Sequence, residues 1–239
     1  YLLEIRDVRY QGNGDWTYSV EINPRPFVTQ ALPLAVPQGV ETKLSLVGFN
    51  LPADPTAMVT IPAQSFQGLH WVSPLVGGQP ANEFAVFVTG LPTVIEVPRA
   101  AAPAVATPAD GTGGTTSPSL TANGQAFGIP AVISGQIAAP GETDLYAFTA
   151  KAGEKLSFEV IARRAQSGLD PYLRILNDKG APLSEADDST FDRVISADST
   201  LENWNCPADG TYLLEIRDLH LRGGAQYVYA VKVTRAEPH

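Results

Sequence analysis

Residues Tyr212-Leu213-Leu214-Glu215-Ile216-Arg217-Asp218 decide how this sequence is read, because the same seven residues open it as Tyr1-Leu2-Leu3-Glu4-Ile5-Arg6-Asp7. The offset is 211 residues and the register runs on without a gap: Gly12 matches Gly223, Trp16 matches Tyr227, Tyr18 matches Tyr229 and Val20 matches Val231. Self-similarity at a fixed period marks an array of modules. Residues 1–22 therefore read as the tail of one module and 212–233 as the tail of the next, a piece of a longer repetitive polypeptide. Within the second tail, Tyr212, Leu214 and Ile216 alternate with Leu213, Glu215 and Arg217, and Tyr227, Tyr229, Val231 and Val233 alternate with Val228, Ala230 and Lys232. A period of two is the signature of half-buried strands. Arg222-Gly223-Gly224-Ala225 between them is a turn signal, so the tail is expected to be a β-hairpin closing a sandwich. Trp16, on the apolar side of its strand like Tyr227, is expected in a core.

Outward from these tails the chain divides into four stretches: 1–24, 25–98, 99–124 and 125–236. In the second, prolines 24, 26, 33 and 37 are followed by strand patterns at Thr42–Gly48, Ala57–Ile61, Leu69–Val72 and Glu83–Val88. Strands at this spacing predict a small β-sandwich. The third stretch, rich in Ala, Pro, Thr, Gly and Ser, reads as a linker. In the fourth, Tyr146 and Phe148 share one strand face, as do Leu156, Phe158 and Val160, and no window fits a helical period. The fold class is all-β, with tandem β-sandwiches. Gly (21) and Pro (20) are abundant in 239 residues, which suits a chain of many turns. The net charge of -9 and the lack of any Lys/Arg cluster argue against a nucleic-acid partner. No stretch approaches the ~20 apolar residues of a membrane span. The one cysteine, Cys206, reads as a small buried hydrophobe.

Gly141-Glu142-Thr143-Asp144-Leu145-Tyr146-Ala147-Phe148, Ala152-Gly153-Glu154-Lys155-Leu156, Leu169-Asp170-Pro171-Tyr172-Leu173 and Pro207-Ala208-Asp209-Gly210-Thr211-Tyr212, in this order, resemble the bacterial pre-peptidase C-terminal (PPC) domain family. Residues 1–22 look like the end of a second copy. The stretch with Gly39-Val40 and Leu46-Val47-Gly48-Phe49-Asn50-Leu51 is similar to the immunoglobulin-like modules found between such domains. The resemblance implies an immunoglobulin-like module followed by a jelly-roll-like PPC domain, in a secreted or cell-surface protein. It also implies a role accessory to an enzyme or within an array. Relatives in clostridial collagenases bind collagen and calcium.

Hydrolytic chemistry needs a nucleophile, a base and an orienting group. His70 sits in a strand pattern, His220 aligns with Arg9 and His239 is terminal, and no HExxH, GxSxG or phosphate-loop pattern occurs. A non-enzymatic role is expected. The constellation with chemical content is acidic: Asp170, Asn177, Asp178, Asp187, Asp188, Asp192 and Asp198 lie in loops. Calcium takes six to eight oxygens from such loops, and adjacent Asp187 and Asp188 repel unless solvated or bridged. These two, with Asp170 and Asp144, are the candidate calcium ligands, although Asp and Asn also cap turns through backbone amides. Tyr172 and Tyr10, and with them Trp71 and Trp204, are candidate ligand or interface aromatics, core packing being the alternative for each. The leading expectation is a structural or interaction module that self-assembles or docks to a neighbouring module. The alternative is an accessory domain binding polysaccharide or protein for a secreted hydrolase.

Overall fold

The computed structural model describes residues 1–97, 124–191 and 194–236. The first strand begins at residue 27. The first sandwich comprises β1 (Phe27–Leu32), β2 (Ala35–Pro37), β3 (Glu41–Phe49), β4 (Thr56–Thr60), β5 (Gly68–Val72), β6 (Leu75–Val76), β7 (Gln79–Pro80) and β8 (Phe84–Thr89). It is followed by β9 (Thr93–Ile95). The second comprises β10 (Gln125–Ala126), β11 (Ala131–Gln136), β12 (Thr143–Ala150), β13 (Lys155–Ile161), β14 (Pro171–Leu176), β15 (Pro182–Ala186), β16 (Ser189–Phe191), β17 (Val194–Ser196), β18 (Thr200–Asn205), β19 (Gly210–Asp218) and β20 (Val228–Arg235). Apart from a 3₁₀ turn at Arg163–Ala165, the regular structure of the described residues is all strand. The architecture is two β-sandwiches in tandem.

The first sandwich packs sheet β1-β3-β4 on sheet β2-β8-β5. The expected strand patterns appear as β3, β4, β5 and β8. Period-two alternation sends Leu44, Leu46, Ala57 and Val59 inward to meet Val36, Phe84, Val86 and Val88. The other face of β8 is buried too, because Ala85 and Phe87 join Leu34 and Ala35 against Val132, Ile161, Val228 and Ala230 of the second sandwich. Ser134 Oγ accepts the Leu34 N–H at 2.6 Å across this joint. The joint also shares a sheet. β9 pairs in parallel with β11 and extends the order to β18-β13-β20-β11-β9. Of the expected linker, residues 99–123 lie outside the described residues, and the chain re-enters at Gly124.

The second sandwich sets that sheet against β10-β12-β19-β14-β15. Its core holds Tyr146, Phe148, Phe158, Trp204, Tyr212, Leu214, Tyr229 and Val231. Phe148 stacks on Tyr212 with ring centroids 5.8 Å apart. The expected hairpin is corrected here. β19 pairs with β12 and β14, whereas β20 pairs with β13 and β11, in the opposite sheet. The alternation was legible, but period two fixes which face is buried and not which strand lies alongside. Tyr212, Leu214 and Ile216 face Tyr229, Val231 and Val233 across the core instead of beside them. Residues 1–26 contain no strand and are mostly exposed. Trp16, expected in a core, is exposed, since the sheets that bury its counterpart are not around it.

Candidate functional site

β9 does more than extend a sheet. It carries the chain to Glu96, whose N–H donates to the Ser134 carbonyl at 2.8 Å and whose Oε2 accepts from Gln136 N at 2.8 Å. The Gly141–Glu142 turn precedes β12, and its Glu142 Oε2 accepts from Ala139 N at 2.7 Å. The first residues of β12 then bring Asp144 to the same place. One carboxylate oxygen from each of Glu96, Glu142 and Asp144 lies within 4.8 Å of the other two. Asp144 is buried and accepts from Tyr229 Oη at 2.6 Å, and Tyr229 is in turn 2.6 Å from Tyr146 Oη. None of the ion pairs among the described residues includes a member of this trio.

Gly135 makes room for the cluster. A Cβ there would lie 2.5 Å from Tyr229 Oη, 2.7 Å from Glu96 Oε2 and 2.7 Å from Tyr146 Oη. Burial, followed by the negative charge of Glu96, pushes Asp144 up to about 8. Burial raises Glu96 as well, reinforced by Glu142. Burial and the surrounding carboxylates keep Tyr146 and Tyr229 protonated far above the usual range for a phenol. Asp144 and Glu96 thus hold protons at pH values where exposed carboxyls have lost them. A hard divalent cation suits this donor set: carboxylate oxygens with a hydroxyl beside them.

Of the four residues expected to ligate calcium, the structure brings Asp144 into this trio and leaves the other three outside it. Asp170 lies beside the C-terminal end of β19 on the β14 side, opposite β12, its Oδ2 3.4 Å from His220 Nε2. Asp187 caps its own turn, accepting from Asp188 N at 2.9 Å, and both side chains are exposed. Asp198 is a structural anchor: it accepts from Ala162 N and Arg163 N at 3.1 and 2.6 Å and pairs with Arg164 at 3.2 Å. Asp192 lies outside the described residues. Glu96 and Glu142 were not anticipated. Glu142 belongs to the quoted PPC-like stretch, but Glu96 is 48 positions from Asp144 in sequence, and only the β9–β11 pairing joins them.

Tyr172 stands on the outer face of β14. Its hydroxyl donates to Glu185 at 2.5 Å, and the Arg217 guanidinium lies 4.1 Å from its ring centroid. Beside it Arg174 forms a two-pronged bond with Glu215 at 2.7 and 2.9 Å. Tyr10 is exposed in a left-handed turn (φ 55°), with the Arg6 guanidinium 4.8 Å from its ring centroid. Trp204 belongs to the core and Trp71 is half exposed. A separate cleft of about 280 Å³ opens where the two sandwiches meet. Leu69, Phe87, Gln67 and Thr89 line one wall and Glu159, Arg164 and Lys232 the other.

No protein-family model matches the chain. Over 84 residues it is 36% identical to a protein of Deinococcus radiodurans described as a probable subtilase-type serine protease. That match covers 34% of this chain and 11% of the protease, so the chain spans about a tenth of its relative's length. Among solved structures, the pre-peptidase C-terminal domain of a Bacillus anthracis collagenase has a TM-score of 0.36 at 15% identity, covering 46% of this chain and 94% of that domain. The periplasmic inhibitor of g-type lysozyme from Aeromonas hydrophila gives 0.35 at 14%, covering 47% and 96%. A Bacteroides ovatus SGBP-B protein from a mixed-linkage glucan utilization locus, solved with a heptasaccharide, gives 0.23 at 10%, covering 88% and 75%.

Proposed function

We propose that this chain is a non-catalytic interaction unit of a secreted or cell-surface bacterial protein, two sandwiches held as one rigid body by a divalent cation at their joint. The observation that carries this reading is the Glu96–Glu142–Asp144 trio, because Glu96 reaches it only through β9, the strand that leaves the first sandwich. Glu96, Glu142 and Asp144 would hold the ion, and Tyr229 orients Asp144 beneath them. Calcium is the ion of choice, as its remaining oxygens come readily from water and backbone. Bound there, it would offset the charge crowding that raises Asp144 and Glu96 and tie Glu96 to β12.

Thermal melts of the chain in EDTA and in 10 mM calcium test this. A site with Kd of ~0.1–1 mM, usual for extracellular modules, stabilises by about 1.4–2.7 kcal/mol at that concentration. The melting temperature is expected to rise in calcium for the wild type and not for Glu96→Gln. No rise in the wild type removes the cation from the reading.

The cleft between the sandwiches favours a second reading, an accessory domain that holds polysaccharide or protein for a hydrolase encoded elsewhere in the polypeptide. Its apolar wall of Leu69 and Phe87 faces hydrogen-bonding and charged groups, the mixture that small-ligand sites use. Its test is titration with soluble glucans followed by calorimetry. Heat release that disappears in a Phe87→Ala variant supports it.

A further inference from the structure

The side chains lining the cleft between the sandwiches offer more hydrogen-bond donors than free acceptors. On the wall of the second sandwich, Glu159 of β13 stands opposite Lys232 of β20, and Arg164 reaches it from the 3₁₀ turn. One carboxylate serves both cations. Glu159 Oε1 accepts from Arg164 Nη2 at 2.6 Å, whereas Lys232 Nζ stands 3.7 Å from Oε2, beyond hydrogen-bond length. Buried Asp198 holds Arg164 Nε at 3.2 Å. Arg164 Nη1 and Lys232 Nζ are left with no hydrogen-bond acceptor among the described residues. On the facing wall, Thr89 is 1% exposed and its Oγ1 accepts from Leu91 N at 3.0 Å. Its own hydroxyl proton goes to no acceptor among the described residues, and the exposed Gln67 amide forms no hydrogen bond within them.

The apolar part of that wall continues past the cleft. Leu69 lies opposite Phe87 and Trp71 opposite Ala85, so all four share one face of β5 and β8. The second sandwich covers Ala85 and Phe87. Trp71, about 7 Å along the strand from Leu69, stays 49% exposed. We infer that the cleft binds uronic-acid units of an acidic polysaccharide, with a uronate carboxylate on Lys232 and a sugar face on Trp71. The inference rests on the accessory-domain reading above and names its ligand class. A neutral sugar brings a donor with every hydroxyl, whereas a carboxylate brings acceptors alone, which is what this lining lacks. Lys232 is a cation without a hydrogen-bonded counterion, so a carboxylate there gains a charge-assisted bond without breaking an existing one. An acidic peptide carries carboxylates too, but also an N–H donor at nearly every residue, and the carboxylate that could receive it, Glu159, is already engaged. The cleft volume of about 280 Å³ lies near the lower end of small-ligand sites, roughly 300 Å³, and suits a short stretch of a thin chain.

The test is calorimetric titration of the full chain with tetragalacturonate, with the same saccharide fully methyl-esterified, and with tetraglutamate. EDTA is present throughout, so that no calcium bridges ligand to protein. Tetragalacturonate is expected to bind, and its ester to bind at least about tenfold more weakly, the worth of a hydrogen bond to a charged group. Lys232→Gln is expected to weaken tetragalacturonate by the same factor and to leave the ester unchanged. Trp71→Ala is expected to weaken both saccharides alike, by about threefold or more. Both side chains are partly exposed, and thermal melts of the two variants are expected to match the wild type. Equal binding of acid and ester, or a Lys232→Gln variant that binds the acid like the wild type, overturns the inference and leaves the polysaccharide reading standing. Tetraglutamate that binds as tightly as tetragalacturonate overturns it in favour of an acidic peptide. No heat with either saccharide overturns it as well, and silence with the soluble glucans in addition removes the polysaccharide reading itself.

Discussion

Residues 1–22 and 212–233 are the same segment in two environments. Leu3 is 62% exposed and Leu214 fully buried, and Tyr18 is 72% exposed whereas Tyr229 is fully buried. Yet the turns coincide. Arg9 N and Gln11 N donate to Asp7 Oδ1 at 2.8 and 3.0 Å, as His220 N and Arg222 N donate to Asp218 Oδ1 at 3.0 Å each. Trp16 N reaches the Asn13 carbonyl at 3.0 Å, as Tyr227 N reaches that of Gly224. Turns of this kind are written in a few adjacent residues, where an Asp carboxylate competes for nearby backbone amides. Strands need partners, because their backbone groups and apolar faces are satisfied only by other strands.

The largest expected effect breaks the comparison at the strands. Leu214→Ala leaves a cavity between Tyr146 and Ile175 and is expected to cost about 2–5 kcal/mol by urea unfolding. Leu3→Ala, the same change in the exposed copy, is expected to fall within about 0.5 kcal/mol of the wild type. Next comes the cap. Asp218 is fully buried, and its burial is outweighed by Arg222 and the N–H groups of Arg222 and Asp170, which hold it below the usual carboxylate range. Asp218→Ala leaves these donors and the Arg222 charge without their partner and is expected to cost about 2–4 kcal/mol in the same measurement.

This contrast also explains what could be read from the sequence. The sandwich class, the strand positions at β3, β4, β5 and β8, and the burial of Tyr146, Phe148, Leu156 and Phe158 followed from period two, a local property of the chain. The neighbours of β19 and β20 did not follow, since alternation is blind to partner choice, and a glycine-rich connector serves a hairpin and a sheet-to-sheet crossing equally well. The candidate site divides in the same way. Asp144 stood out as an acidic residue heading a strand. Glu96 is exposed to no such signal, because its role depends on the parallel pairing of β9 with a strand about forty residues away. Asp187 and Asp188 drew the calcium expectation as adjacent carboxylates in a loop, and the structure shows Asp187 accepting the Asp188 N–H and both side chains exposed.

A smaller effect is expected from the trio itself. Tyr18 has no carboxylate beneath it, whereas Tyr229 donates to Asp144. The folded-state value of Asp144, about 8, lies above its ordinary 3.8. Its contribution to stability is therefore fully present below pH ~4 and is lost as pH rises through 8. In EDTA, unfolding free energy is expected to decline over that window, by about 1.4 kcal/mol for each unit of effective shift. Asp144→Asn is expected to flatten the decline, and saturating calcium to reduce it in the wild type. A wild-type profile in EDTA that is level from pH 4 to 8 contradicts the burial and charge crowding assigned to this carboxyl.

The smallest effect on stability isolates the local half of the comparison. Asp7→Ala removes the acceptor for Arg9 N and Gln11 N in a segment that no sheet supports. The melting temperature is expected to stay within about 1 °C of the wild type, because exposed substitutions away from buried networks change stability little. The amide resonances of Arg9 and Gln11 are nevertheless expected to move toward their random-coil positions, and Tyr10 to lose its left-handed coupling constant. If the turn survives Asp7→Ala, its shape comes from neighbouring residues instead of the cap. If the amides of the wild type already sit at random-coil positions, the turn at Asp218 needs the sandwich after all.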